Sequence, residues 1–267
     1  MRWGERTYVM GIVNVTPDSF SGDGIADTSE AVRFAVAQHE RSADILDFGG
    51  QSTRPGHHPV TPGEEAARVV PVIERVRSAL PHAVLSIDTY EPSVLGAARA
   101  AGADILNCVM GLPQPLLEIA AQERMPVVIM HNKAEATYSG NVVDEVLHFL
   151  DEAAQRAVRF EVPAEHVLID PGIGFGKTAE HNIAVLHALP RFSALGFPTV
   201  LGTSRKSTIG KLTGRDPRER IFGTAATTAL AVAAGIDVVR VHDVAETRDV
   251  VSVSDAIVRG WRPPAWA

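Results

Sequence analysis

The chain has one cysteine, Cys108, in 267 residues. A single thiol can build neither an internal disulfide framework nor a cysteine-based zinc site, so both are excluded and a reducing compartment is the default. No apolar stretch reaches the length needed to cross a bilayer. Met1 leads through Arg2, Glu5 and Arg6 into only a short apolar run, without the basic and hydrophobic regions of a secretion signal, so a cytoplasmic protein without a membrane partner is expected. An excess of basic charge is also lacking. Against 32 Asp and Glu stand 25 Lys and Arg, a formal net charge of -7. That balance excludes a general nucleic-acid surface and leaves room for a local basic pocket holding a small anion. No linker or low-complexity segment divides the chain, and 45% hydrophobic residues are enough for a sizeable core. Small-molecule partners and one domain over residues 1–267 are expected.

What the sequence does have is one pattern repeated. Short apolar runs recur as "YVMGIVNV", "DILDFGG", "VLSIDT", "ILNCV", "PVVIMH", "HVLIDPG", "PTVLGTS" and "VVRVHD". Near-continuous apolarity without alternation is the mark of parallel strands covered on both faces. Between them "SEAVRFAVAQHE" repeats apolar residues at helical spacing, and amphipathic patterns cover 61–80, 141–160, 179–192, 216–234 and 245–259. Pro92 and Pro217 stand near helix starts, and Gly102 and Gly235 follow helix ends. Eight strand-helix units in this length predict an α/β fold, a (β/α)8 TIM barrel, with a doubly wound open sheet as the alternative.

A barrel carries its active site at the carboxyl ends of its strands. There stand Asn14, Gln51 with Arg54 beyond it, Asp88, Asn107, His131, Asp170, Ser204 with Arg205 and Lys206, and Arg240 with His242. Any one of these has a local explanation, as a helix cap, a turn former or an Arg–Asp pair. A full ring of them is costly to hold in place without a ligand or one another. Asp88, Asn107 and Asp170 suit an edge rich in N–H donors, as in a guanidine-like aminopyrimidinone, whereas Asn14, Arg240 and His242, on strands that meet when a barrel closes, suit phosphate. In "HVLIDPGIGFGKT" three glycines invite close approach of backbone, and Lys177 is expected to be structural rather than a pocket residue. His131 is expected chiefly to fix the backbone around Met130 and Asn132. Cys108 reads as a buried, inert thiol. The pair His57 and His58 is assigned no role.

The segments "MGIVNVTPDSFS", "DFGGQSTRPG", "SIDTY", "DPGIGFGKT", "GTSRKSTIG" and "RVHDV" resemble those of the dihydropteroate synthases, the pterin-binding barrel family, in order and spacing from Met10 to Val244. The resemblance implies condensation of a pterin pyrophosphate with p-aminobenzoate, releasing pyrophosphate with Mg²⁺ assistance. It implies that Asp88, Asn107, Asp170 and Lys206 hold the pterin ring. Arg240 would cover a ring face and reach the pyrophosphate beside His242, and Asn14 would help hold pyrophosphate or its metal. Phe20, Thr53, Arg54, Pro55, Phe175 and Ser207 would build the p-aminobenzoate pocket, with Asp23 and Arg54 meeting when the loops close. The chain departs from the family pattern in reading "SFSGDG" where "SFSDGG" is usual, with Asp23 expected to replace an acid missing at Gly22. It also has Gln51 for a usual Glu and Cys108 for a usual Asp. Two alternatives follow: a pterin-binding paralogue without synthase activity, and a folate-dependent methyltransferase domain. Against the second stand "TSRKS" and "RVH" together. Trp261 and Trp266, in the tail "WRPPAWA", are expected to cap the barrel or to pack on a partner, as in a homodimer.

Overall fold

In the computed structural model the described residues are 1–16, 24–51 and 60–262. They form eight strands: β1 (Tyr8–Asn14), β2 (Ile45–Gly49), β3 (Val84–Asp88), β4 (Ile105–Cys108), β5 (Val127–Met130), β6 (Val167–Asp170), β7 (Val200–Leu201) and β8 (Val238–Val241). Each lies inside one of the eight apolar runs. All pair in parallel, in the order β6-β5-β4-β3-β2-β1-β8-β7. The two ends of that series meet where Ile169 bridges Thr199 and its N–H donates to the Pro198 carbonyl at 2.9 Å, which closes the barrel.

The helices are α1 (Thr28–Glu40), α2 (Pro62–Ala79), α3 (Pro92–Ala100), α4 (Gln114–Gln122), α5 (Val142–Arg159), α6 (Ala179–His187), α7 (Leu189–Ser193), α8 (Ser207–Thr213), α9 (Ile221–Ala233) and α10 (Val244–Val258). The pattern over 179–192 breaks in two at Ala188, because Pro190 lacks the N–H that would continue α6. Pro217 opens a short 3₁₀ turn, Pro217–Glu219, rather than α9 itself. Gly102 and Gly235 take the left-handed conformations that end α3 and α9. Helix α8 is an insertion between β7 and α9 that no amphipathic repeat announces.

Alternation along the strands sorts the core into two parts. Outward residues such as Val9, Leu46, Phe48, Leu85, Ile87, Leu106 and Cys108 pack against the helices. Phe48 is completely buried there, and truncating it to Ala would cost about 3–5 kcal/mol. Inward residues Tyr8, Met10, Ile45, Ile105, Val128, Leu168, Val200 and Val238 fill the barrel floor. Trp3 packs against this floor, its ring edge-on to Tyr8 at 5.6 Å, and its indole N–H donates to the Glu165 carbonyl at 2.9 Å. The plug is therefore Trp3; Trp261 is half-buried beside the end of α10, and Trp266 lies outside the described residues.

Further along β2, β3, β4 and β6 the inward positions turn polar at Asp47, Ser86, Asn107 and Asp170, above the apolar floor, and on β8 at Arg240, while β1 and β5 keep Ile12 and Met130. One step higher come Asn14, Asp88 and His242. Parallel register sets Asn14 beside Gly49, Gly49 beside Asp88, and Asp88 beside Asn107. The chain thus builds an oily floor and a charged mouth within one barrel.

Candidate active site

Arg240 organises the mouth. Its backbone pairs with Met10, down at the level of the apolar floor, so its long side chain climbs through the barrel. Its Nε–H donates to Asp47 Oδ2 at 2.7 Å and its Nη2 to Asp88 Oδ2 at 2.9 Å. Asp47 Oδ2 also accepts from Asn107 Nδ2 at 3.1 Å. Burial pushes the Asp88 carboxyl up to about 7; Arg240 opposes that shift, and Asp47, Glu65 and Asp170 reinforce it. For Arg240 burial works against the charge, but Asp47 and Asp88 more than offset it, and its pKa is raised. These contacts revise the expected division into a ring cluster and an anion cluster. Arg240 is joined to the ring-side acceptors, and its pairing with a nearby Asp is real.

Asp170 ends β6, and the next six residues supply the close approach that the glycines announce. Asp170 Oδ1 accepts from the Gly172 N–H at 2.7 Å, and burial raises its pKa against the pull of Lys206, the Gly172 N–H and Arg240. Gly172 has φ +68°, and a Cβ there would lie 1.9 Å from the His131 carbonyl oxygen; at Gly176, φ +56°, it would lie 2.4 Å from the Lys133 carbonyl oxygen. Only glycine fits either position. Lys177 folds back under this turn. Its ammonium reaches His131 Nδ1 at 2.8 Å and the carbonyls of Gly172 and Phe175 at 3.1 Å each. Burial pulls the Lys177 pKa down to about 7, with Asp170 opposing. His131, buried and facing that cation, is driven down to about 3 and stays neutral. Lys177 and His131 are thus a clamp behind the wall of the mouth.

Lys206 lies on the mouth side of the same wall. Its ammonium donates to the Ile173 carbonyl and sits 4.9 Å from the centroid of the Phe175 ring. Gly202 lies beside the ammonium, where an added Cβ would meet Lys206 Nζ at 3.7 Å and Arg240 Cβ at 3.9 Å, both ordinary contacts. His242 is oriented by Ser204, whose hydroxyl lies 3.0 Å from its Nδ1 and accepts its backbone N–H at 3.2 Å. Arg205, at φ +57°, is turned away to a two-pronged pair with Asp243. Ser207 is exposed at the first turn of α8. Asn14, half-buried at the end of β1, sets its Oδ1 over Gly49 next to Asp88. The Gln51 amide donates to the Tyr90 hydroxyl at 2.7 Å, and the Cys108 thiol is fully buried, its pKa raised by burial.

Asp88, Asn107, Asp170, Lys206, Arg240 and His242 therefore share one mouth with Phe175 and Asn14. Phe20, Gly22, Asp23, Thr53, Arg54, Pro55, His57 and His58 lie outside the described residues. The residue that strand-end reasoning misses is Asp47. Its signal is a carboxylate inside the apolar run "DILDFGG", two places before Gly49 and so on the same inward face, where a charge demands a partner.

The pterin binding enzyme family profile matches residues 10–242. The dihydropteroate synthase of Synechocystis is 42% identical over 270 residues, covering 97% of this chain and 92% of that protein. The structure of the Clostridium difficile dihydropteroate synthase in the presence of pteroic acid superposes with a TM-score of 0.92 at 41% identity, covering 97% of this chain and 99% of that one. The Xanthomonas albilineans dihydropteroate synthase in complex with 7,8-dihydropteroate gives 0.87 at 42% identity, covering 98% and 97%.

Proposed function

The chain belongs to the pterin binding enzyme family, and from that premise we infer that it is a dihydropteroate synthase, joining a dihydropterin methyl pyrophosphate to p-aminobenzoate. The observation that carries the assignment of the ring site is the convergence of acceptor oxygens from Asp88, Asn107 and Asp170 beside Arg240 and Lys206. In this reading the guanidine-like edge of the pterin donates N–H groups to those acceptors, and the buried carboxylates make the contacts charge-assisted. Lys206 stands at the ring's far side on Phe175. Arg240, held at the border of the acceptor cluster, meets the pyrophosphate with His242.

No protein nucleophile is required. The bond between the pterin methylene carbon and the pyrophosphate oxygen breaks, its electron pair leaving with pyrophosphate. The arylamine nitrogen forms the new C–N bond and then gives up its proton to solvent or the departing anion. The residues' task is to stabilise the leaving anion and to align the amine. Asp23 and Arg54, with Phe20, Thr53, Pro55, Phe175 and Ser207, are assigned to the arylamine side and to exclusion of water.

The described residues contain no group of three His, Cys, Asp or Glu that could hold a metal ion. The site fits Mg²⁺ in another manner, because that ion retains several waters and takes one or two protein oxygens together with substrate phosphates. Asn14 Oδ1 is the candidate oxygen, and the ion would offset pyrophosphate charge. A homodimer and a cytoplasmic location belong to the same proposal. Phe222 and Leu230 on α9, with Val253 and Ile257 on α10, present large exposed side chains that support a subunit contact. No helix among the described residues is long and apolar enough to cross a membrane.

The deciding experiment measures pyrophosphate release with each substrate omitted in turn. Release that requires both substrates is expected. Ring binding without arylamine-dependent turnover would select the inactive paralogue.

A further inference from the structure

Asp47 belongs to none of the assigned ring or anion groups, yet two of them rest on it. It is completely buried on β2, and one of its oxygens, Oδ2, accepts from both Arg240 Nε and Asn107 Nδ2. The geometry points to Asp47 as a positioning residue that holds Arg240 and Asn107 in their ligand-binding orientations through that single oxygen. The inference rests on the pterin reading of the mouth and deepens it.

Two consequences follow from the chemistry of a carboxylate. An ionised carboxylate only accepts, so the Asn107 atom beside it must be the amide nitrogen. The Asn107 carbonyl oxygen is thereby the atom left to the mouth, where it joins Asp88 and Asp170 as an acceptor. Without Asp47 the amide could present a donor against a ring edge that already donates.

The second consequence concerns Arg240. Its Nη2 is spent on Asp88 Oδ2, the same carboxylate that the ring edge needs. Asp88 Oδ1 is buried without a hydrogen-bond partner among the described residues and is the oxygen open to the ring edge; where the ring claims Oδ2 as well, the Nε bond to Asp47 is the hinge about which the guanidinium turns to the pyrophosphate. Asp47 can keep this hold because its carboxylate sits one layer deeper than Asp88: Asp47 pairs with Ser86, whereas Asp88 pairs with Gly49. A ligand at the mouth meets Asp88 first.

The test uses Asp47→Asn, which keeps the shape and removes the acceptor-only character. Calorimetry with 6-hydroxymethylpterin and steady-state pyrophosphate release are measured on the full chain. Pterin affinity is expected to fall about tenfold and kcat about a hundredfold, with KM for p-aminobenzoate unchanged. A double-mutant cycle separates positioning from general damage, since in an Arg240→Ala background Asp47→Asn should lower kcat less than fivefold further. Equal effects in both backgrounds, or native kinetics for Asp47→Asn, would overturn the inference. Failure of the native chain itself to bind 6-hydroxymethylpterin would instead overturn the pterin reading.

Should Asp47→Asn not fold, the native protein still decides. The Arg240 Nε–H resonance, identified by its loss in Arg240→Lys, should exchange slowly with water both with and without 6-hydroxymethylpterin. Rapid exchange in the pterin-bound form would mean that Asp47 does not keep its hold.

Discussion

Gly172 offers the sharpest test of how the backbone makes the site. An alanine there meets two obstacles. The left-handed φ of +68° costs about 1–2 kcal/mol for a residue with a Cβ. The Cβ itself would stand 1.9 Å from the His131 carbonyl oxygen. The obstructing atom is backbone, so the turn must move by about 1 Å or more, at the ~1–3 kcal/mol typical of overpacking. The total for Gly172→Ala is about 2–5 kcal/mol. Gly196→Ala is the matched control, since its φ is +83° and nothing lies within 4 Å of the new methyl. It should cost only the ~1–2 kcal/mol of the backbone conformation. The two changes also restrict the unfolded chain alike, so that contribution cancels between them. Displacing Gly172 draws its N–H away from Asp170 and its carbonyl away from Lys177, so pterin affinity should fall at least tenfold in Gly172→Ala and stay native in Gly196→Ala. Urea denaturation gives the stability difference and calorimetry the affinity. Equal destabilisation of the two variants, with pterin binding intact in both, would refute the close-approach argument.

Asp170→Asn should weaken pterin binding by about 2–5 kcal/mol, the cost of truncating a buried charge-assisted contact; unchanged calorimetric affinity would reduce Asp170 to a turn former. His242→Ala should weaken pyrophosphate and pterin pyrophosphate more than free pterin, and equal losses in competition binding would remove His242 from the anion side. Because the folded pKa of Asp88 lies near 7, above its unfolded value, its contribution to ligand-free stability is full below the unfolded pKa and is lost as pH rises toward 7. Pterin binding should run the other way, tightening from pH 6 to 8 with proton release, because the ionised carboxylate accepts through both oxygens with a full charge whereas protonation turns one of them into a donor; buffer-independent binding enthalpies would contradict this. Asp23→Ala should depress turnover while leaving ring affinity nearly native, and full turnover would show that Asp23 does not replace the missing acid.

The barrel was legible because its strands are apolar on both faces: every run from "YVMGIVNV" to "VVRVHD" contains one observed strand. The boundaries were less so. "PTVLGTS" keeps only Val200–Leu201 as strand, since beyond it the chain turns over Thr203–Lys206, where the Lys206 N–H donates to the Thr203 carbonyl at 3.1 Å and Arg205 takes φ +57°. Asp88, Asn107 and Asp170 could be found because a strand end is itself a position rule. Asp47 escaped that rule. Its importance arises from Arg240, 193 residues away, and no local spacing encodes that contact. Lys177 reads as structural because it closes a glycine turn rather than a strand, but its partner, the His131 ring 46 residues earlier, was not legible.

Charge at the mouth explains why the ring and the anion must be held by different parts of it. Asp47, Asp88 and Asp170 stand there against Arg240 and Lys206, while Asp88 and Lys177, each with a pKa near 7, carry less than a full charge. A neutral ring that donates N–H groups can satisfy the surplus acceptors without adding negative charge. Pyrophosphate cannot, since beside Asp170 it would face a carboxylate in a medium that screens poorly. It is driven toward the side where His242 is oriented by Ser204 and where Arg240 can turn once the ring has taken Asp88. In the proposed reading Arg240 couples the two halves of the substrate: it holds Asp88 Oδ2 in the free protein, and a ring that claims both oxygens of Asp88 frees the guanidinium to turn toward the leaving group. A pterin without its pyrophosphate should accordingly displace Arg240 from Asp88 and raise the affinity for inorganic pyrophosphate, and by linkage pyrophosphate should raise the affinity for the pterin by the same factor. Titrating each ligand in the saturating presence of the other measures that factor, and a value of one would mean that Arg240 serves the two halves independently.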